Sequence, residues 1–209
     1  MNVIQDNHIT GIILAGGKAK RMGGQDKGLI RLANKTMVEH IATALGPQVG
    51  TLLVNANRNP ERYRRFGYPV VPDQVGGYLG PLAGMASGME HAKTPYVVTV
   101  PCDSPLIPPD LVGRLYRAMV AEQAEISVAH DGQRMQPVFA LLRTTLQDSI
   151  KKFLAGGDRK TILWYAWHKM ALADFSDHPN MFLNVNTPED GKALEGFLVS
   201  SADKMSHSG

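Results

Sequence analysis

Residues 11–29 read GIILAGGKAKRMGGQDKGL, an apolar run followed by glycines, four cations and one acid. The apolar part predicts a buried strand over 10–14. A strand that ends in Gly16-Gly17 lets backbone N–H groups turn outward, and Lys18, Lys20, Arg21 and Lys27 then favour a polyanion beside them. No Gly-Lys-Ser/Thr follows a glycine at Walker spacing, and G-x-G-x-x-G is absent, so neither common nucleotide fingerprint applies. A mobile basic surface loop is the minor alternative reading of the same residues.

Outward from this stretch, strand and helix patterns alternate. Further strands are expected at 51–55, 68–71, 96–100, 126–130, 137–142 and 181–185. Helices are expected at 36–45, 82–91, 109–121, 144–154, 160–167 and 188–198. Near-continuous apolar strands separated by amphipathic helices predict an α/β fold of three layers, a mostly parallel sheet with helices on both faces. Ligands in such folds sit at the carboxyl ends of the strands, near a topological switch point. No repeat and no linker-like shift of composition divides the chain, which reads as one domain over 1–199 with a polar tail at 200–209.

Composition narrows the function classes. A chain of 209 residues, 44% hydrophobic, supports one sizeable core. Its net charge of +3, without long basic runs or stacking motifs, argues against nucleic acid. Cys102 is the only cysteine, which excludes an internal disulfide and fits a reducing cytoplasm. The first residues lack a signal peptide's basic and apolar regions, and no apolar run reaches membrane-spanning length. The expectation is a cytoplasmic monomer that engages neither nucleic acid nor membrane.

Chemistry-bearing residues follow the expected strands. YVVTV runs into Pro101-Cys102-Asp103-Ser104-Pro105, which sets a carboxylate at a strand end where it serves either as a hard ligand for Mg²⁺ or as a turn former. Cys102 has no evident histidine partner and reads as a small packing residue. Asn55 and Asp73 offer hydrogen bonds to a base or a ribose, or else shape turns. Gly80 and Gly84 permit either close approach of a ligand or tight helix packing. Thr187 before Pro188 reads as a helix cap, with Asn184 and Asn186 directed at the site. Arg159 and Lys160 open an expected helix; Trp164 and Trp167, three apart, read as core. No histidine or cysteine spacing suits zinc.

Taken together, LAGGKAKRMGGQDKGL, VNANRNPERY, PDQVGGYLGPLAGM, VPCDSPLIPPDL and FLNVNTPED occur in the order seen in the MobA-like nucleotidyltransferase family and resemble it over nearly the whole chain. The pattern is most similar to the molybdenum cofactor guanylyltransferases, which join GMP to molybdopterin. The resemblance implies a Rossmann-like nucleotidyltransferase fold and transfer of GMP from GTP to the terminal phosphate of molybdopterin, with pyrophosphate released. It implies a GTP site of Leu14, Ala15, Gly16, Lys27, Asn55, Asp73 and Asp103, with Arg21, Lys27 and Asp103 catalytic and Asp103 holding Mg²⁺. It implies a molybdopterin site of Gly80, Gly84, Arg159, Asn184 and Asn186, and transient contact with acceptor molybdoenzymes or their chaperones. Two departures stand out. The usual Asn-Gly-Lys-Pro turn is Ala33-Asn34-Lys35-Thr36, where Asn34 is expected to take the left-handed conformation. MQPVFALL lacks the histidine often found before its proline. A CTP-using relative, a sugar-phosphate enzyme and a carrier without transferase activity are the competing readings.

Overall fold

A computed structural model describes residues 6–16, 26–74, 80–187 and 189–196. In chain order the main elements are β1 (Ile9–Leu14), β2 (Arg31–Leu32), β3 (Lys35–Thr36), α1 (Met37–Leu45), β4 (Thr51–Asn55), α2 (Pro60–Arg64), β5 (Val70–Val71), α3 (Pro81–His91) and β6 (Tyr96–Pro101). Then come α4 (Leu111–Ala121), β7 (Ile126–His130), β8 (Met135–Arg143), α5 (Gln147–Ala155), α6 (Thr161–Tyr165) and β9 (Met170–Asp174). A last helical stretch covers 189–196.

Seven strands form one sheet in the order β5-β4-β1-β6-β8-β7-β9. β1 pairs parallel with β4 and β6, β4 with β5, and β7 with β9, while β8 runs against both β6 and β7. Only β8 is reversed, so the mostly parallel sheet is as expected. The chain builds outward from β1 through β4 to β5, then returns to place β6 on β1's other side. The switch point therefore lies between β1 and β6.

Strand residues alternate between two cores because successive side chains point to opposite faces. Ile9, Ile13, Val98, Val100 and Leu141 pack with α1 and α4 residues such as Ile41, Leu45, Leu111 and Leu115. Ile12, Val97, Val128, Ala140 and Leu142 pack on the opposite face with Leu82, Met85, Ile150, Phe153 and Trp164 of α3, α5 and α6. These are the three layers. Each fully buried side chain of this size contributes about 1.5–3 kcal/mol.

α1 begins where the sequence supplies a capping box. Thr36 Oγ1 accepts from Glu39 N at 3.4 Å, and Glu39 Oε2 accepts from Thr36 N at 2.7 Å. The bond from the Thr36 backbone holds the Glu39 carboxyl below its ordinary range. Just before it, β2 and β3 form a hairpin whose left-handed residue is Ala33, φ 50°, rather than Asn34. Leu32 of this hairpin packs with Met37, Val185 and Leu194, which fastens the last helical stretch to the start of α1.

Several expectations are corrected. The strand expected at 181–185 does not form: Pro179–Phe182 is a 3₁₀ turn, and the following chain crosses the carboxyl edge, tied by Val185 N to Asp103 O at 2.8 Å. β9, unforeseen in the sequence, takes the sheet edge beside β7 instead. The strand expected at 68–71 shortens to Val70–Val71, since Gly67 has φ 84° and Pro69 lacks a donor. The helix expected to reach Trp167 stops at Tyr165. Trp164 is buried as expected, whereas Trp167 is 56% exposed and touches Phe153 edge-on. Arg21 and the tail at 200–209 lie outside the described residues.

Candidate active site

A cleft of about 590 Å³ opens along the carboxyl edge of the sheet. Its walls are the ends of β1, β4 and β6, the first half of β8 and the N-terminus of α3. β8 contributes its beginning, not its end, because it alone is antiparallel.

The electrostatic centre lies at the switch point. Lys27, at the start of a short 3₁₀ turn, sends Nζ to Asp103 Oδ2 at 3.0 Å and to Asn186 Oδ1 at 2.6 Å. Asp103 follows β6 directly. Asn186 is oriented from behind, since its N–H and that of Thr187 both donate to Asp190 Oδ2 at 2.9 Å. Those backbone bonds, that from Asn186 first, hold the Asp190 carboxyl below its usual range. Asp190 N returns a bond to Thr187 Oγ1 at 3.1 Å, so Thr187 caps as its sequence predicts. Asn184 Oδ1 accepts from the buried Ser104 hydroxyl at 2.6 Å.

The far wall of the cleft holds a second carboxylate. Asp73 accepts from Asn55 Nδ2 at 2.9 Å and from Asn57 Nδ2 at 2.7 Å, and its own N–H donates to Asn57 Oδ1 at 2.7 Å. Gly16 lies against these amides: a Cβ there would come within 2.8 Å of Asn57 Nδ2. Gly84 packs a layer deeper. A Cβ on it would collide with Asn55 Oδ1 and approach Leu14 Cδ2 to 2.7 Å, so this glycine lets α3 close on the strand ends and is absent from the cleft wall. Gly80 is in the wall, with φ 76° and ψ −166°, a conformation that strongly favours glycine. Pro81 follows at the first helical position, and the 11-residue α3 turns its amino end toward the cleft.

Cys102 lines the cleft as well. Burial, and then the negative charge of Asp103, pushes its thiol well above the ordinary cysteine value. A protonated, buried thiol is a poor nucleophile.

Residues 11–170 match the family described as the MobA-like NTP transferase domain. The chain belongs to this family. It is 52% identical over 186 residues to a protein named molybdenum cofactor guanylyltransferase from Shewanella pealeana (strain ATCC 700345 / ANG-SQ1), covering 89% of this chain and 93% of that one. A protein of the same name from Shewanella sp. (strain MR-4) is 52% identical over 193 residues, 92% of this chain and 98% of its own. Among solved structures, the molybdopterin-guanine dinucleotide biosynthesis protein A of Archaeoglobus fulgidus superposes with a TM-score of 0.74 at 19% identity, over 91% of this chain and 99% of that one. That last likeness is one of fold.

Within the MobA-like fold the sequence candidates converge unequally. Leu14, Ala15, Gly16, Lys27, Asn55, Asp73, Gly80, Asp103 and Asn184 all line the cleft, and Asn186 reaches Lys27. Arg159 is on an exposed turn before α6, and its carbonyl is 3.8 Å from where a Gly80 Cβ would stand. Asp26 and Asn57 were not foreseen, although each is adjacent in pattern to a residue that was: Asp26 precedes Lys27, and Asn57 is two past Asn55. Gln136 through Phe139 also line the cleft. Gln136, directly before Pro137, donates from Nε2 to Asp131 Oδ2 at 2.7 Å.

Proposed function

We propose that this protein is a molybdenum cofactor guanylyltransferase that transfers GMP from GTP to the terminal phosphate of molybdopterin. The observation that carries the reading is the Lys27–Asp103–Asn186 cluster at the β1/β6 switch point, inside a cleft of nucleotide-accommodating size. A molybdopterin phosphate oxygen attacks the α-phosphorus of GTP; a new P–O bond forms as the bond to the β-phosphate breaks, and pyrophosphate departs with the displaced charge. Such transfer depends on positioning and charge stabilisation, so no protein nucleophile is needed, and Cys102 stays a bystander.

Lys27 supplies positive charge to the triphosphate. Arg21 is assigned a second cationic role from the same loop. Asn55 and Asp73 hold the guanosine end. Gly80, Asn184, Asn186 and Arg159 form the molybdopterin side, with Gly84 contributing through its packing on Asn55.

Magnesium fits the donor set. Asp103 offers a hard carboxylate in the cleft, and among the described residues no three His, Cys, Asp or Glu side chains gather into a protein-only cage. That suits a cation held by one carboxylate together with phosphates and water. Bound at Asp103, Mg²⁺ would neutralise charge on the triphosphate. Product passes by transient contact to acceptor enzymes or their chaperones.

The test mixes purified protein, Mg²⁺ and molybdopterin cofactor with GTP, CTP or ATP and follows products by chromatography. A GMP adduct and pyrophosphate with GTP alone are expected. A CMP adduct would move the protein to a CTP-using relative, and no adduct from any nucleotide would overturn the transferase reading.

A further inference from the structure

The end of β4 and the loop after it read Asn55-Ala56-Asn57-Arg58-Asn59, with an asparagine at every second position. Two of these amides bind Asp73 at the far wall of the cleft. The third turns the other way: Asn59, left-handed at φ 47° and preceding Pro60 of α2, sends Nδ2 to Asp26 Oδ2 at 3.3 Å. The other oxygen of Asp26 accepts from the Tyr63 hydroxyl, one turn further along α2. Asp26 borders the cleft immediately before Lys27. One short loop and the helix behind it thus grip carboxylates at both ends of the same cleft.

The packing around Tyr63 shows how closely the grip is built. The ring is fully buried, and a Cβ on Gly28 would lie 2.5 Å from its hydroxyl oxygen. The chain carrying Lys27 therefore crosses directly over that hydroxyl, which only a glycine allows. Leu29 N and Ile30 N bond back to the carbonyls of Asp26 and Lys27 at 3.0 and 3.1 Å, so the turn that presents Lys27 is built on Asp26. Burial raises the Tyr63 hydroxyl far above its normal value, which keeps it a hydrogen-bond donor at every working pH. Both Asp26 oxygens already accept bonds from the protein, so this carboxylate serves as an anchor.

We infer that Asn57, Asn59 and Tyr63 are positioning residues: a clamp that, through Asp73 and Asp26, sets the distance between the guanosine-holding wall and the ammonium of Lys27. This rests on the cleft being the GTP site. Asn57 governs the base end, whereas Asn59 and Tyr63 govern the phosphate end. Loss of either half moves one end of the nucleotide relative to the other without removing any group that touches it.

The experiment compares wild type with Asn57→Ala, Tyr63→Phe, Asn59→Ala, Asp26→Asn and the double variant Tyr63→Phe/Asp26→Asn. It measures binding of a fluorescent GTP analogue with Mg²⁺, inhibition by pyrophosphate, kcat, KM for GTP and thermal melting. Tyr63→Phe should lower kcat and weaken pyrophosphate inhibition about tenfold, the loss expected for one hydrogen bond to a charged group, with KM for GTP little changed. Asn57→Ala should instead raise the analogue's Kd and KM about tenfold and leave pyrophosphate inhibition unchanged. In the Asp26→Asn background, Tyr63→Phe should add almost nothing, because it acts through Asp26. The clamp is overturned if the folded single variants keep wild-type kcat, KM and inhibition, or if Tyr63→Phe and Asp26→Asn act additively. Were Tyr63→Phe unable to fold, Asn59→Ala carries the same phosphate-end prediction. Failure of wild type itself to bind the GTP analogue would instead count against the functional reading beneath the inference.

Discussion

The two edges of the sheet carry two polar clusters that invite opposite readings. At the amino edge, Ser149 Oγ and His168 Nε2 share a hydrogen bond of 2.8 Å, and His168 Nδ1 is 3.3 Å from Glu125 Oε2. This is the connectivity of a hydrolytic triad. At the carboxyl edge, Lys27, Asp103 and Asn186 form a simpler knot. Yet the first cluster has none of its members in the cleft wall, and its serine already accepts a bond from Trp164 Nε1 at 3.1 Å. Glu125 and His168 just precede β7 and β9, and Glu125 N bonds to Lys169 O at 2.8 Å. Their bonds stitch α5 and α6 to the strand starts. What separates a site from a staple is its place: strand ends at a switch point leave a crevice, whereas strand starts are closed by their own connections.

The sharpest way to break this contrast is to remove one charge from the carboxyl edge. Asp103→Ala should lower kcat by at least about 100-fold, as does loss of a charge-stabilising group elsewhere, with little change in melting temperature. Retained turnover with ordinary magnesium dependence would move the metal and the chemistry away from Asp103. Ser149→Ala makes the opposite experiment: it should leave turnover unchanged and destabilise by about 1–2 kcal/mol, because Trp164 Nε1 and His168 lose their partner. A large loss of kcat in a well-folded Ser149→Ala protein would show that the amino edge has been misread.

Gly84→Ala sharpens the boundary between packing and function at the cleft floor. The added methyl meets Asn55 and Leu14, so a cost of about 1–3 kcal/mol is expected, accompanied by weaker GTP binding because Asn55 supports Asp73. Denaturant melts and nucleotide titration together check it; stability lost without any change in affinity would separate Gly84 from the site entirely.

How much of this was legible in the sequence differs by region for physical reasons. β1, β4, β6 and β7 follow from apolar runs bounded by polar or proline residues, and the mostly parallel sheet follows from the alternation of strand and helix, whereas the place of the switch point needed the strand order. Asp103 could be named because it sits where a strand pattern ends, and Lys27 because it belongs to the glycine- and cation-rich stretch that follows the first strand. β9 could not, since Met170-Ala171-Leu172-Ala173-Asp174 is short and Leu172 is half exposed, so its residues lack a buried-strand pattern. The segment at 181–185 has strand-like residues, but Phe182 is buried through edge-on ring packing against Phe139 and Phe175, with Met181 in the same core, rather than through pairing. Asp26 and Asn57 bond to residues 16–37 positions away, which no local pattern encodes. Ala33 shows the converse: sequence preference placed the left-handed residue at Asn34, and hairpin closure put it one earlier.

The smallest effects lie at the entrance to α1, whose capping residues Thr36 and Glu39 are outside the cleft wall. Thr36→Ala should cost about 1 kcal/mol in stability and leave turnover untouched. The Glu39 carboxyl is held below its ordinary value, so its contribution is complete above the ordinary carboxylate range and fades as pH falls through the lowered value. Urea melts of wild type and Glu39→Gln should therefore converge on acidification below about pH 4. A gap that widens in acid would contradict the capping box.

The most direct test of the central claim is hydrogen–deuterium exchange of the protein with and without GTP and Mg²⁺. Nucleotide-dependent protection is expected in peptides covering 12–16, 55–59, 72–74, 101–104 and 184–186, with none in those covering 144–151 and 163–169. Protection confined to the amino-edge peptides would contradict the account and move the nucleotide to the other side of the sheet.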